Sequence, residues 1–321
     1  MTSLLVEVGT SQHPPDARFD YDRSVLLHTG RRIAGLMAVL CVLFTPGTSA
    51  SASPSCVPKP ISHSPIVGSV QEPPKSRPQN TVTIASVNIA GQGRTADILA
   101  SWKQQRSLDV LLLQEVGQRS MDGRTFIAQL SERMGVHYAY APAEFFENGY
   151  THGLAILSRF PLDEVHAQPL EYHRLRFRSR CRIALAATVN TPGRPIRLVN
   201  VHLDTRINTK DRVAQLTPVL DALDSFPGPS IVGGDFNTMN IRWFRTMWPF
   251  PYLQKQSAAV RALLATAGFQ TPLGGGPATF RFLGLPLRLD WIFVRDLTPL
   301  EWGVDAVRYT DHRGVWASVT P

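Results

Sequence analysis

Eight short runs rich in Val, Ile and Leu recur along the chain, and most of them carry or end on a polar residue. They are "TVTIASVNI" (81–89), "LDVLLLQEV" (108–116), "GLAILSR" (153–159), "RIALAATVN" (182–190), "IRLVNVHLD" (196–204), "SIVGGDFN" (230–237), "LDWIFVR" (289–295) and "GVWASVT" (314–320). Apolar runs of this length, bounded by Gly, Pro and Asn, read as strands. Helix-like segments lie near 95–107, 124–134, 208–223 and 256–267. Strands alternating with helices predict the α/β class, in one domain over residues 81–321. No internal repeat is present. With 43% hydrophobic residues among 321, the chain can bury a sizeable core.

The polar groups stand where buried strands should avoid them. Asn88 follows "TIASV", Glu115 follows "VLLLQ", and His202 sits inside "LVNVHL". Asp235 and Asn237 follow "SIVGG", Asp290 opens "DWIFV", and Asp311 and His312 precede the last run. A carboxylate there is costly to bury unless it is paired, hydrogen-bonded or bound to metal. A side-chain period of two puts Asp235 and Asn237 on one face, with Phe236 on the other. It also groups Asn200, His202 and Asp204 opposite Val199, Val201 and Leu203. The apolar faces pack a core, so the polar faces are expected to look into a site.

Carboxylates and amides without cysteine suit a hard, oxygen-seeking cation, Mg²⁺ or Mn²⁺. Two histidines are too few for the usual three-ligand zinc site. A divalent cation, histidine and basic residues together suit hydrolysis of a phosphate ester. Each residue alone has an ordinary explanation: a cap neighbour, a turn residue, a satisfied core histidine. Their joint occurrence favours a site.

"TIASVNIAG", "LLLQEV", "HGLAILSR", "LVNVHLD", "IVGGDFNT", "RLDWIFVR" and "TDHRGV" follow one another in the order of a known family. The chain resembles the endonuclease/exonuclease/phosphatase superfamily, the DNase I-like phosphoesterases, over about residues 81 to 321. The resemblance implies a four-layer α/β sandwich, with two mixed β-sheets packed face to face, flanking helices, and a site at one edge of the sheets. It implies that Asn88 and Glu115 contact metal and phosphate, and that Asp311 is a carboxylate at the metal site. Asp235 and Asn237 match the pair that orients the attacking water and steadies the transition state. Asp290 and His312 match an Asp–His pair, and His202 matches a second histidine at the scissile phosphate. "RCRIAL" places Arg182, with Arg180 beside it, near the substrate. Relatives vary where His152 stands; it, His166 and His173 read as surface or loop histidines.

"YHRLRFRSRCR" sets arginine at 174, 176, 178, 180 and 182. On a strand, all five would share one face. The expected partner is anionic: a phosphate ester, nucleic acid, a phospholipid head group or an anionic membrane surface. A net charge of +8 fits the same partners. The rival reading is a solvated loop. "IRWFRTMWPFPY" (241–252) concentrates Trp243, Phe244, Trp248, Phe250 and Tyr252. These aromatics suit stacking on bases, entry into a lipid interface, or cover for the core, the last being favoured. Arg212 and Gln215 read as an exposed or packing helix face.

Arg31 and Arg32 precede the apolar run 33–44 and a small-residue stretch ending at Ala52. Residues 1–52 therefore read as a signal peptide or signal anchor, giving an exported or membrane-tethered protein. The polar stretch before Arg31 is long for a signal. Residues 53–80, rich in Pro and Ser, read as a disordered or extended linker. Cys56 and Cys181 would remain after cleavage, as one disulfide or two thiols. The function expected is an exported Mg²⁺- or Mn²⁺-dependent phosphodiesterase or phosphomonoesterase, of nuclease or phospholipase type. The alternative is an inactive binding module on the same fold, for nucleic acid or anionic lipid.

Overall fold

All eight apolar runs are strands, and all four helix-like segments are helices. In chain order the elements are β1 (Ile66–Gly68), β2 (Val82–Asn88), α1 (Ala96–Arg106), β3 (Val110–Arg119), α2 (Phe126–Met134), β4 (His137–Phe145), β5 (Tyr150–Ser158), β6 (Leu162–Pro169), β7 (Ile183–Val189) and β8 (Ile196–His202). There follow α3 (Thr209–Asp224), β9 (Ser230–Asp235), β10 (Ile241–Phe244), β11 (Trp248–Pro251), α4 (Gln256–Thr266), β12 (Phe280–Phe282), β13 (Leu285–Leu287), β14 (Asp290–Arg295), β15 (Thr298–Ala306) and β16 (Arg313–Thr320). The structure, a computed structural model, describes residues 65–69, 81–91, 95–119, 125–146, 149–176, 179–251, 253–274, 276–282 and 284–320. The segment read as a signal, and Cys41 and Cys56, lie outside them.

Two mixed sheets form the frame. One runs β1-β4-β5-β3-β2-β16-β15 and the other β14-β9-β8-β7-β6. Each contains one parallel pair, β2 with β3 and β8 with β9. Alternation along β2 explains the layering. Ala85 and Val87 pack outward with Leu99 and Trp102 of α1 and Ile127 and Leu130 of α2. Val82 and Ile84 join the other cluster, which holds Val199 and Ile231 of the second sheet and Leu216 and Val260 of α3 and α4. The result is the expected four-layer sandwich. Each fully buried Leu or Ile contributes about 1.5–3 kcal/mol.

Asn200 differs from its expected placement. It shares the face of His202, yet it points at the other sheet, not into an open site. Its Nδ2 donates to the Leu113 and Ala155 carbonyls, each at 2.9 Å, and Gln114 Nε2 donates to its Oδ1 at 2.7 Å. This buried amide pair fixes how the sheets sit at the end where the site forms.

Three long strands, β4, β6 and β15, carry weak sequence signals. β6 and β15 are sheet edges with largely exposed side chains, so they lack an apolar run. β4 is rich in Ala, a poor strand former. Within the span read as a linker, Ile66–Gly68 adds to the β4 edge as β1.

The arginine stretch is not a strand. Residues 170–176 and 179–182 form an irregular connection from β6 to β7. Ser179 Oγ accepts from the Leu175 amide at 2.8 Å, closing a local turn. A strand would hold five like charges on one face, which repel. Here Arg174 and Arg176 are exposed, while Arg182 is buried; Arg178 lies outside the described residues.

Candidate active site

A bulge in β3 aims Glu115. Leu113 pairs with Ala155 and Val116 with Gly153, so three steps on β3 match two on β5. Leu113 and Val116 therefore both face the outer helices, and Glu115 turns aside with φ +54°. Its neighbour Gly117 carries no Cβ because the Tyr150 hydroxyl would stand 1.6 Å from one. Left-handed backbone at a non-glycine residue costs of order 1 kcal/mol, and it persists here at a convergence of polar groups.

Asp235 ends β9 at the centre of that convergence. His202 is its register partner on β8, and Asp290 its partner on β14. Gly234 must be glycine: its φ is +142°, and a Cβ would lie 2.0 Å from the Val201 carbonyl oxygen. Asn88 Nδ2 donates to Asp235 Oδ2 at 3.1 Å and to Glu115 Oε1 at 3.2 Å. The Asn237 amide donates to Asp235 Oδ1 at 2.9 Å, with Asn237 itself at φ +51°. Asp235 Oδ2 also stands 3.4 Å from His202 Nε2 and 3.9 Å from His312 Nε2.

Two basic arms complete the cluster. His312 Nδ1 lies 2.9 Å from Asp290 Oδ2, and the Phe280 ring covers the imidazole with centroids 4.9 Å apart. Arg182 Nη1 lies 2.9 Å from both ring nitrogens of His202, and its Nε donates to Asp204 at 3.3 Å. Asp204 is fully buried and also accepts from Gln215 Nε2 at 3.0 Å.

Burial and neighbours move the titrations. Burial, with Asp290 nearby, raises the Asp235 carboxyl to about 6, although His312 and the two amides pull it down. Burial works against a charged His312, but Asp290 and Asp235 together overcome it and raise the imidazole to about 10. His202 moves the other way. Burial first, then Arg182, hold it well below the usual histidine range. At neutral pH the two histidines thus carry different charges.

The donor set fits a hard cation. Asp235 and Asp290 bring carboxylate oxygens, and His312 a ring nitrogen, within 4.8 Å of one another, and Glu115 is joined to Asp235 through Asn88; with His312 charged, the carboxylate oxygens are the ligands on offer. Carboxylates crowded around Asp235, whose own protonation burial favours, are the oxygen-rich setting that Mg²⁺ or Mn²⁺ relieves.

The model of the Endonuclease/Exonuclease/phosphatase family matches residues 85–313. The chain belongs to this family. The superfamily is one of phosphoesterases, typically using divalent metals. No curated protein matches the sequence. Among solved structures, an endonuclease/exonuclease/phosphatase from Beutenbergia cavernae is 20% identical over 75% of this chain and 72% of its own, with a TM-score of 0.60. The mannosyl-6-phosphatase of Bacteroides thetaiotaomicron is 17% identical over 75% and 100%, with a TM-score of 0.52. The human Nocturnin catalytic domain, bound to sulfate, is 16% identical over 80% and 97%, with a TM-score of 0.54. At these identities the likeness is one of fold.

Within this family fold, Asn88, Glu115, His202, Asp235, Asn237, Asp290 and His312 come together, with Arg182 behind His202. Asp311 is exposed, and it adds to the charge that raises His312. Arg180 is half-buried and donates to Glu144 at 2.7 Å. His152 is not a surface histidine. It lies on β5, 3.9 Å from Glu115 and 3.7 Å from Glu144, mostly buried. Glu144, nearly fully buried, was not expected here; nothing in "HYAYAPAEF" marks it. Arg212 is fully buried and donates to the carbonyls of Asp204, Phe236, Thr205 and Ile207. It holds the two loops that follow β8 and β9, and burial lowers its guanidinium to about 10. Cys181 is disulfide-bonded.

Proposed function

We propose that the chain is a divalent-cation-dependent phosphoric ester hydrolase. The supporting observation is the surround of one oxygen: Asp235 Oδ2 faces Asn88, His202 and His312 at 3.1, 3.4 and 3.9 Å. In this reading the Glu115 carboxylate would hold Mg²⁺ or Mn²⁺, with Asn88, whose Nδ2 donates to Glu115 and Asp235, positioning both carboxylates, and with Asp311 at the rim. When bound, the cation neutralises phosphoryl charge and polarises the ester. Asp235 orients the attacking water and accepts its proton; a carboxyl raised to about 6 is suited to that near neutral pH. Asn237 fixes Asp235 through its backbone amide. His312, kept charged by Asp290, stabilises the negative charge that develops on the phosphoryl oxygens. Neutral His202 and Arg182 address the scissile phosphate, and Arg180 a flanking one.

Export, supported by the sequence of residues 31–52, is part of the same reading. The runner-up, a binding module without turnover, predicts no hydrolysis. The test is release of p-nitrophenol from bis-p-nitrophenyl phosphate with Mg²⁺, with Mn²⁺ and with chelator. A panel of plasmid DNA, RNA, sphingomyelin, phosphoinositides and a phosphomonoester then identifies the ester. Full turnover in excess chelator, or none on any ester, would sink the proposal.

A further inference from the structure

The β10–β11 hairpin is a two-stranded ribbon with two unlike faces. Ile241 and Trp243 face inward and pack with Met239, Leu287 and Leu289. Register places Arg242 opposite Phe250 and Phe244 opposite Trp248, so these four share the outward face. That face is open: Phe244 is 52% exposed, Trp248 41%, Phe250 47%, and Leu253 just beyond 62%. Soluble surfaces rarely leave such large apolar groups together without a partner. The aromatics expected to cover the core therefore divide, with Trp243 inside and Phe244, Trp248 and Phe250 outside.

The ribbon is fixed in place and basic. Arg245, Thr246 and Met247 connect its strands, the first two at φ +49° and +55°, and the Met247 amide donates to the Phe244 carbonyl at 3.1 Å. The Arg176 amide donates to Thr246 Oγ1 at 2.7 Å, which ties the exposed arginine connection to the turn. Arg174, Arg176, Arg242 and Arg245 are all exposed. Residues 172–182 and 236–255 contain eight arginines and lysines and no Asp or Glu. Only three residues separate Asn237 of the site from Ile241 of the ribbon.

We propose that this ribbon, with Arg174 and Arg176, is a docking surface for an anionic lipid bilayer. Aromatic side chains beside arginine suit the headgroup layer, where rings enter and guanidinium groups meet lipid phosphates. Anionic lipid also attracts each nearby basic residue. Leu253, 62% exposed just beyond the ribbon, adds aliphatic surface that suits acyl chains and has no use in stacking on bases, which favours lipid over nucleic acid. The inference goes beyond the proposed chemistry and does not depend on it.

The test uses residues 53–321, one compact unit that holds every described element and its cores, so that the apolar run 33–44 does not contribute. Cosedimentation is measured with phosphatidylcholine–phosphatidylserine vesicles and with phosphatidylcholine alone. The parent should bind the mixed vesicles. Phe244→Ser/Trp248→Ser/Phe250→Ser should bind them about tenfold or more weakly, with unchanged melting. Arg242→Gln/Arg245→Gln should lose roughly fivefold per arginine on mixed vesicles only. Trp248→Phe should keep binding but reduce fluorescence quenching by brominated lipid. The proposal is overturned if the parent ignores mixed vesicles, or if the triple variant binds them as tightly as the parent. It is overturned equally if the triple variant loses affinity for a DNA duplex or single-stranded RNA while keeping vesicle affinity; the ribbon then meets nucleic acid.

Discussion

Asp290 Oδ2 lies 2.9 Å from His312 Nδ1, and both groups are buried. The contact orients the imidazole so that Nε2 faces Asp235. Asp290→Asn should lower kcat by about 10²-fold and His312→Ala by 10² to about 10⁴-fold. Both variants should stay folded. Steady-state kinetics on a chromogenic ester checks this, and near-normal turnover in either removes the dyad from the mechanism.

His312 and Asp235 set the pH profile. In the proposed mechanism, turnover needs a deprotonated Asp235 and a protonated His312. It should rise through about pH 6 and fall through about pH 10. Asp290→Asn should move the alkaline limb down, because His312 loses its principal counter-charge. A pH–rate profile whose alkaline limb ignores this change would contradict the assignment.

Stability of the metal-free chain follows from linkage. His312 is raised from 6.5 to about 10, so between those values the folded chain holds a proton that the unfolded chain has released. Its contribution is fully present below 6.5 and is lost as pH rises through 10. Urea midpoints measured from pH 6.5 to 10 in chelator should fall, and fall less in Asp290→Asn.

Glu115→Gln should raise the cation concentration needed for half-maximal turnover by at least about tenfold, since a neutral amide is a poorer ligand for a hard cation. Chelator should abolish parent activity. A Glu115→Gln curve superimposed on the parent's would exclude Glu115 from the metal site.

Arg212→Met should cost at least about 3 kcal/mol, because it strands several buried carbonyls at once. Chemical denaturation measures it. A stable variant would mean that the loops after β8 and β9 hold themselves.

Arg182→Ala should slow turnover on every ester. It should also shift the His202 titration upward, because the guanidinium is one of the charges that depress it. NMR of the imidazole separates this electrostatic role from simple packing.

Period and polarity in the sequence determined the eight principal strands, the four helices and most of the polar cluster. Asn88, Glu115, His202, Asp235, Asn237, Asp290 and His312 were legible because a polar group at the end of an apolar strand needs a reason. Period reports which side chains share a face, not what that face meets. Asn200 and His202 share one, yet the first ties two sheets and the second borders Asp235. Pairing across strands decided the rest. The β3 bulge that turns Glu115 exists only against β5, and burial of Arg212 exists only once α3 covers two loops. His152 came to lie between Glu115 and Glu144 through sheet order, over separations that no local pattern encodes. The alternating arginines had the period of a strand, but mutual repulsion and the local turn at Ser179 left them an irregular connection. Long-range pairing and the burial of charge belong to the assembled chain, and there the tertiary structure decided what the sequence left open.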